Sequence, residues 1–212
     1  MGTIRQGILG GFSGKVGTVV GSSWKGISFM RAQAKSIKNP RTEKQMNQRT
    51  KFSISMVFLK PMTDILRTGF KLYANNQSAF NAATSYILAN AISGEYPNYH
   101  IDFPAALISR GSLTPAMNGT AVVQDGNIVV SWDDNTGLGT AKASDRTLIA
   151  VYNADRYEAV TENAGTTRAA VTHTIPLPAD WTGNEMHIYL GFVSEDNNEV
   201  ASSVYLGKTI VP

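Results

Sequence analysis

The 212-residue chain contains no cysteine and no run of 18 or more apolar residues. The first absence excludes disulfides, thiol catalysis and cysteine-ligated zinc, although it does not fix the compartment. The second means that no segment is predicted to cross a bilayer as a helix. Residues 1–6 also lack the apolar stretch and small-residue cleavage site of a secretory signal peptide. We therefore expect no membrane span, no signal peptide and a location that is cytoplasmic or within an assembled particle.

Patterns typical of catalytic sites are also missing. There is no Gly-x-Ser-x-Gly nucleophile elbow, and the three histidines, at positions 100, 173 and 187, are far apart. The segment 10–15 suggests a phosphate-binding loop, but Leu9 and Val16 stand where that motif requires glycine and Ser or Thr. We expect a protein that is not an enzyme and that holds no cofactor or metal.

Two minor alternatives remain open for the acidic side chains. Carboxylates could face one cleft of an enzyme, and the candidates are Asp133, Asp134, Asp145 and Glu158. Calcium could bind the acidic loops at 133–135 and 195–199, although neither has the spacing of an EF-hand. Ordinary acidic turns explain both loops equally well.

Charge is distributed unevenly along the chain. Residues 1–110 hold 14 Lys or Arg and 4 Asp or Glu, a balance of +10, whereas residues 111–212 hold 5 and 12, a balance of −7. Halves of opposite sign suggest two units with different surroundings. The basic half could meet nucleic acid, an anionic surface or the acidic half of a neighbouring copy.

The N-terminal segment is rich in glycine and basic residues. Eight glycines fall within residues 2–26, so this segment is expected to fold weakly by itself. The β-prone runs 16–20 and 27–31 predict a β-hairpin or two short strands, connected near residues 22–26. We expect the ring of Trp24 to lie on an apolar surface near this connection.

Ten Lys or Arg against one Glu make residues 1–51 the main candidate for partner contact. The residues that we predict to contact a protein partner or nucleic acid are Lys15, Trp24, Lys25, Arg31, Lys35, Lys38 and Arg41. Basic side chains contact phosphates while aromatic rings stack on bases, but the segment matches no named nucleic-acid motif. A glycine-rich basic arm that becomes ordered against another subunit is the favoured alternative.

Helices are predicted after the basic segment. Pro40 places a helix start just beyond it, and residues 42–45 match a capping box led by Thr42. Apolar residues then recur at helical spacing as far as Leu66, and Pro61 is expected to kink or split that helix near Lys60. A second helix is predicted from about 80 to 91, followed by the stop signals Gly94 and Pro97.

The second half predicts an antiparallel β-sandwich. Seven short β-prone runs alternate with turn clusters between residues 121 and 206. The predicted fold class is therefore α+β, with a β-hairpin and helices in domain 1–103 and a sandwich in domain 104–212.

Several segments resemble known families. Residues 128–134, which include Trp132, and residues 186–194, which include Tyr189, are similar to the early and late strands of fibronectin type III or immunoglobulin-like modules. Residues 7–17, 24–26, 42–45 and 48–52 resemble an uncharacterised family of roughly 200-residue Bacteroidetes proteins. The first resemblance implies a sandwich. The second implies a layout and carries over no catalytic residue.

A phage context is suggested by a shorter likeness. Residues 39–42 and the pattern Gln-x-x-x-Arg-x-x-Phe at 45–52 are similar to segments of some phage and prophage proteins. We therefore expect a non-enzymatic structural or assembly protein, a component of a phage or phage-like particle, whose partners are protein subunits, including further copies of itself. The alternative is a nucleic-acid-binding protein that uses the basic N-terminal region.

Overall fold

The structure is a computed structural model, and it describes residues 2–4, 7, 10–24, 26–36 and 41–211. The chain divides into two compact units, residues 1–42 and residues 43–212. Among the described residues, no helix is long and apolar enough to cross a membrane.

The N-terminal unit is one antiparallel sheet of four strands in the order β1-β2-β3-β4. These strands span Thr3–Ile4, Phe12–Val16, Val19–Trp24 and Ile27–Ala32. The predicted hairpin is formed by β3 and β4, which are joined through residues 25–26. The left-handed φ of +83° at Gly26 suits this tight connection, because glycine adopts positive φ without strain.

Three α-helices begin the second unit. They are α1 (Glu43–Leu59), α2 (Thr63–Gly69) and α3 (Ala79–Asn90). The predicted split at Pro61 is confirmed, since a short 3-10 turn at Lys60–Met62 separates α1 from α2. Ser78 caps α3 by accepting a hydrogen bond from the backbone N–H of Asn81 at 3.1 Å. α1 begins directly after Thr42, as predicted.

A two-stranded ribbon of β5 (Ile92–Ser93) and β6 (His100–Ile101) connects the helices to seven longer strands. These strands are β7 (Met117–Gln124), β8 (Asn127–Asp133), β9 (Arg146–Asn153), β10 (Glu158–Thr167), β11 (Thr172–Pro176), β12 (Glu185–Val193) and β13 (Val204–Ile210). One sheet has the order β10-β9-β12-β13 and the other β11-β8-β7, and all of their pairings are antiparallel. The predicted α+β fold with a fibronectin III-like sandwich is confirmed.

The second unit has three layers, with helices on one face of the four-stranded sheet and the smaller sheet on the other. β9 shows why, because seven of its eight residues are buried. Leu148 and Tyr152 pack with the helices, whereas Ile149 and Val151 pack between the two sheets. The predicted domain boundary at 103/104 falls inside this unit, where helices and sheet share one core. The division at that point stays a prediction.

A buried ion pair crosses the sandwich core. The side chain of Arg168 is fully buried, and its Nε lies 3.1 Å from Oδ2 of Asp145. Its other nitrogens donate to Oδ1 of Asn135 at 2.7 Å and to the carbonyl of Thr114 at 2.8 Å. The guanidinium also lies over the ring of Phe192, 3.8 Å from the centroid. One cation therefore holds three loops to a strand of the larger sheet.

Candidate attachment surface

One face of the N-terminal sheet carries a row of basic side chains. In the strand register, Lys15 of β2 lies opposite Val20 of β3, which in turn lies opposite Arg31 of β4. Directly opposed residues in a sheet project to the same face. Lys15 and Arg31 therefore flank Val20 on a single face, and both side chains are exposed.

Aromatic and aliphatic side chains lie on the same face. Phe29 is two residues from Arg31 along β4, and Trp24 of β3 lies opposite Ile27 of β4. Trp24, Ile27 and Phe29 are 65%, 68% and 43% exposed. We call the face formed by Lys15, Val20, Trp24, Ile27, Phe29 and Arg31 the basic-aromatic face.

The structure brings three of the seven predicted contact residues together on this face: Lys15, Trp24 and Arg31. Lys35 and Arg41 are exposed but lie beyond the end of β4. The last two, Lys25 and Lys38, lie outside the described residues. We expected the ring of Trp24 to lie on an apolar surface; Trp24 is 65% exposed and lies opposite Ile27 on the same face.

Among its described residues, the N-terminal unit shows no hydrophobic core of its own. Gly21 is the single buried residue among those that the structure describes in this unit. The ring of Phe12 packs directly above it, so closely that a β-carbon at position 21 would overlap that ring. A sheet with so little burial gains little from the hydrophobic effect and needs a further surface to cover its apolar side chains.

Charge is concentrated in the same unit. Residues 1–42 contain seven Lys or Arg and no Asp or Glu, which gives a net charge of +7. Residues 43–212 contain twelve and sixteen, a net charge of −4. The positive charge is therefore more concentrated when the chain is divided at its structural boundary, +7 over 42 residues against +10 over 110, whereas the remainder, at −4, is less negative than the second half of the sequence.

An aromatic groove of about 640 Å³ lies on the second unit, and the sequence did not predict it. Its walls come from α1, from the segment 99–103 and from the connection between β9 and β10. Tyr152, one of the lining residues, is 3% exposed. Burial raises the pKa of this phenol well above its usual value. The contributing segments are distant in sequence, so no local pattern could have indicated the groove.

Of the three histidines, all of which the structure describes, His187 alone is buried. It stacks on Phe103 with centroids 3.5 Å apart and has Nδ1 2.8 Å from the hydroxyl of Tyr205. Its Nε2 lies 3.2 Å from a Glu185 oxygen without an aligned hydrogen bond. Burial lowers the pKa of His187, and Glu185 opposes that shift. Within the described ranges, no three His, Asp or Glu side chains form a metal-binding cluster.

The four carboxylates considered for an enzyme cleft each make a separate local contact. Asp145 pairs with Arg168, while Asp133 accepts a hydrogen bond from Asn118 at 2.6 Å. Hydrogen bonds from Thr136 lower the pKa of Asp134. Finally, Glu158 accepts from the indole N–H of Trp181 at 3.1 Å and from Arg156 at 3.3 Å.

Comparison with known proteins gives one family and a distant structural likeness. A family of unknown function (DUF6266) matches residues 11–207. No curated protein matches the chain. A solution structure of the fn3 domain of the human collagen alpha-1(XX) chain is 16% identical and covers 49% of this chain and 93% of its own, with a TM-score of 0.34. The sandwich assignment rests on the strand order and not on this likeness.

Proposed function

The chain belongs to that family, and we propose that it is a non-enzymatic assembly protein that attaches to a protein subunit through its N-terminal unit. The observation that carries this proposal is the N-terminal sheet itself. Trp24, Ile27, Phe29 and Met30 are exposed, and Gly21 is the single buried residue among those that the structure describes there. Such a surface is typical of an interaction site rather than of a finished domain.

The energy available from covering this surface is substantial. Fully burying one large apolar side chain contributes about 1.5–3 kcal/mol. Trp24, Ile27 and Phe29 share the basic-aromatic face and are 65%, 68% and 43% exposed, so covering these three provides a few kcal/mol, before the loss of motional freedom on association is subtracted. Aromatic residues and arginine are also the residues that most often dominate binding energy.

The charge of the unit specifies the chemistry of the partner surface. With a net charge of +7 and no side-chain carboxylate in residues 1–42, a surface rich in Asp and Glu would be attracted, whereas a second copy of this unit would be repelled except where salt screens the charge. The likenesses to Bacteroidetes and phage proteins add a context. We propose a component of a phage or phage-like particle, in which neighbouring subunits supply that surface.

Light scattering on the full-length chain, over a concentration series and with candidate neighbouring subunits, tests this function. We expect assemblies that are lost when residues 1–42 are removed and weakened in the variant Trp24→Ser/Ile27→Ser. Val122→Ser is the matched control, because Val122 is 62% exposed on the sandwich. A full-length chain that stays monomeric and binds no subunit under any condition would overturn the proposal, as would equal effects of both variants.

Nucleic-acid binding is a second candidate, favoured by one observation. Lys15 and Arg31 share a face with Trp24 and Phe29. A single nucleic-acid strand bound there could therefore contact the basic side chains through its phosphates and stack its bases on the aromatic rings. Binding to a single-stranded oligonucleotide should weaken steeply as salt rises, and Lys15→Gln/Arg31→Gln should reduce the slope of log affinity against log salt by about 1.4. Lys60→Gln/Lys142→Gln is the control for net charge. An absence of binding at low salt would exclude this candidate.

A further inference from the structure

Among the described residues, no strand pairs with the outer side of β4, which is therefore an edge of the N-terminal sheet. It is the last strand in the order β1-β2-β3-β4, and all six of its residues are exposed. Natural proteins usually protect such edges with proline, a bulge, several charges or a very short strand, because exposed backbone N–H and C=O groups accept another strand. β4 has six residues, no proline and one charge, on Arg31.

The hydrogen-bond pattern shows which groups of β4 face outward. The N–H of Gln33 donates to the carbonyl of Thr18 at 2.7 Å, and this pair continues the β3–β4 register. Since hydrogen-bonded pairs alternate in an antiparallel ladder, Arg31, Phe29 and Ile27 are bonded to β3. The backbone groups of the intervening residues therefore face outward, and these residues are Ser28, Met30 and Ala32.

We propose that β4 pairs with β4 of a second copy, antiparallel, about a two-fold axis at Phe29. This pairing rests on the proposed function and adds a second copy of the chain to the acidic subunit as a partner; the like charge of the two N-terminal units opposes it and is screened by salt. Ser28 would exchange backbone hydrogen bonds with Met30 of the other copy, Phe29 would face its own equivalent, and Ile27 would face Arg31. The two four-stranded sheets would become one sheet of eight strands.

Self-pairing at this register suits the side chains. Phe29 falls at a non-hydrogen-bonded position, where opposed side chains come closest and an aromatic pair is favourable. The two Arg31 residues are four positions apart along the ladder, roughly 13 Å at about 3.3 Å per residue. That separation exceeds the Debye length of about 8 Å at physiological ionic strength, so their repulsion is screened. The apolar stem of Arg31 covers Ile27 of the other copy.

The buried area indicates a weak association. If Ile27, Phe29 and Met30 of each copy lose roughly 100 Å² each, the side chains bury roughly 600 Å² in total, whereas stable interfaces begin near 1,200 Å². We therefore expect dimers that form at high concentration and that are strengthened by salt, because each N-terminal unit carries +7. Nucleic-acid binding would show the opposite response to salt.

Single-cysteine cross-linking tests this pairing directly, because the natural chain has no cysteine. Under mild oxidation, Phe29→Cys should form a disulfide-linked dimer, since opposed β-carbons at this position lie within disulfide range. Ile27→Cys and Arg31→Cys should each stay largely monomeric alone but cross-link when mixed. Val122→Cys, on the exposed face of the sandwich, gives the background rate. Cross-linking of Phe29→Cys no faster than this control would overturn the pairing.

A second variant separates backbone pairing from simple contact. Met30→Pro removes one outward N–H and should abolish cross-linking in the Phe29→Cys background, whereas Met30→Ser should retain it. Faster cross-linking of Met30→Cys than of Phe29→Cys would overturn the register. If assembly requires residues 1–42 but Phe29→Cys does not cross-link, the self-pairing fails and the attachment function stands. If the full-length chain neither assembles nor cross-links, both fail.

Discussion

Replacing Arg168 with methionine removes the cation from the buried network while keeping a long apolar side chain in its place. The wild-type side chain is fully buried, as is that of Asp145, and the two make a 3.1 Å contact. In the variant, Asp145 keeps one hydrogen bond, from the backbone N–H of Lys142 at 2.9 Å, but loses its counter-charge. Its Oδ1 already has no hydrogen-bond partner within the described structure.

We expect the variant to lose about 3–5 kcal/mol of unfolding free energy, the usual effect of leaving one member of a buried ion pair uncompensated. The acceptors on Asn135 and Thr114 lose their donor as well, which adds to the effect. For a unit of this size, 1 kcal/mol corresponds to about 2–4 °C in melting temperature. The expected decrease is therefore on the order of 10 °C, measured by calorimetry and by urea titration.

Two further variants make this prediction specific. Arg168→Met/Asp145→Asn should recover much of the loss, because it removes the uncompensated charge, and a double-mutant cycle measures that coupling. Arg67→Met breaks an exposed pair with Asp64 that has the same 3.1 Å separation but side chains 71% and 81% exposed. Its effect should stay within about 0.5 kcal/mol. A loss below about 1 kcal/mol for Arg168→Met would refute the reasoning that burial makes this pair indispensable.

Three other predictions concern the cap, the pH dependence and the N-terminal unit. Ser78→Ala should reduce the unfolding free energy by about 1 kcal/mol, because it removes the N-cap acceptor of α3, whereas Ser78→Asp should retain most of it. Burial lowers the pKa of His187 in the folded chain below the ordinary histidine value of 6.5, so the unfolded chain takes up this proton more readily. Stability should be fully present above pH 6.5 and decrease as the pH falls below it, and this dependence should be smaller in His187→Gln when urea midpoints are compared. Deleting residues 1–42 should leave the melting temperature of the second unit unchanged within about 2 °C, because those residues form a separate unit that lacks a core of its own; a larger decrease would show that they stabilise it.

Local signals predicted much of the secondary structure. Pro61 lacks a backbone N–H and ends a run of helical hydrogen bonds, so the division between α1 and α2 was visible in the sequence. The seven short runs corresponded to seven strands because turn clusters separate them. In each case the determining interactions lie within a few residues of one another.

The layering of the second unit depends on contacts between distant segments. β9 is apolar throughout, which indicates a strand buried on both faces, but it does not identify what covers each face. Phe58 of α1 meets Tyr152 of β9 with ring centroids 4.9 Å apart, across more than ninety residues of sequence. The Asp145–Arg168 pair likewise joins the residue before β9 to the residue after β10, which are 23 positions apart in the sequence. Neither contact has a local sequence signature.

The candidate site shows how one structural detail changes the interpretation of a pattern. Trp24 is at an even position and Arg31 at an odd one, so alternation along a continuous strand would place them on opposite faces. However, two residues, 25 and 26, separate the strands β3 and β4. Each even-numbered residue of β3 therefore pairs with an odd-numbered residue of β4, as Trp24 does with Ile27 and Val20 with Arg31. Trp24 and Arg31 therefore share a face with Lys15. A tight turn at Gly26, treated as a two-residue hairpin loop, would have predicted the basic-aromatic face from the sequence.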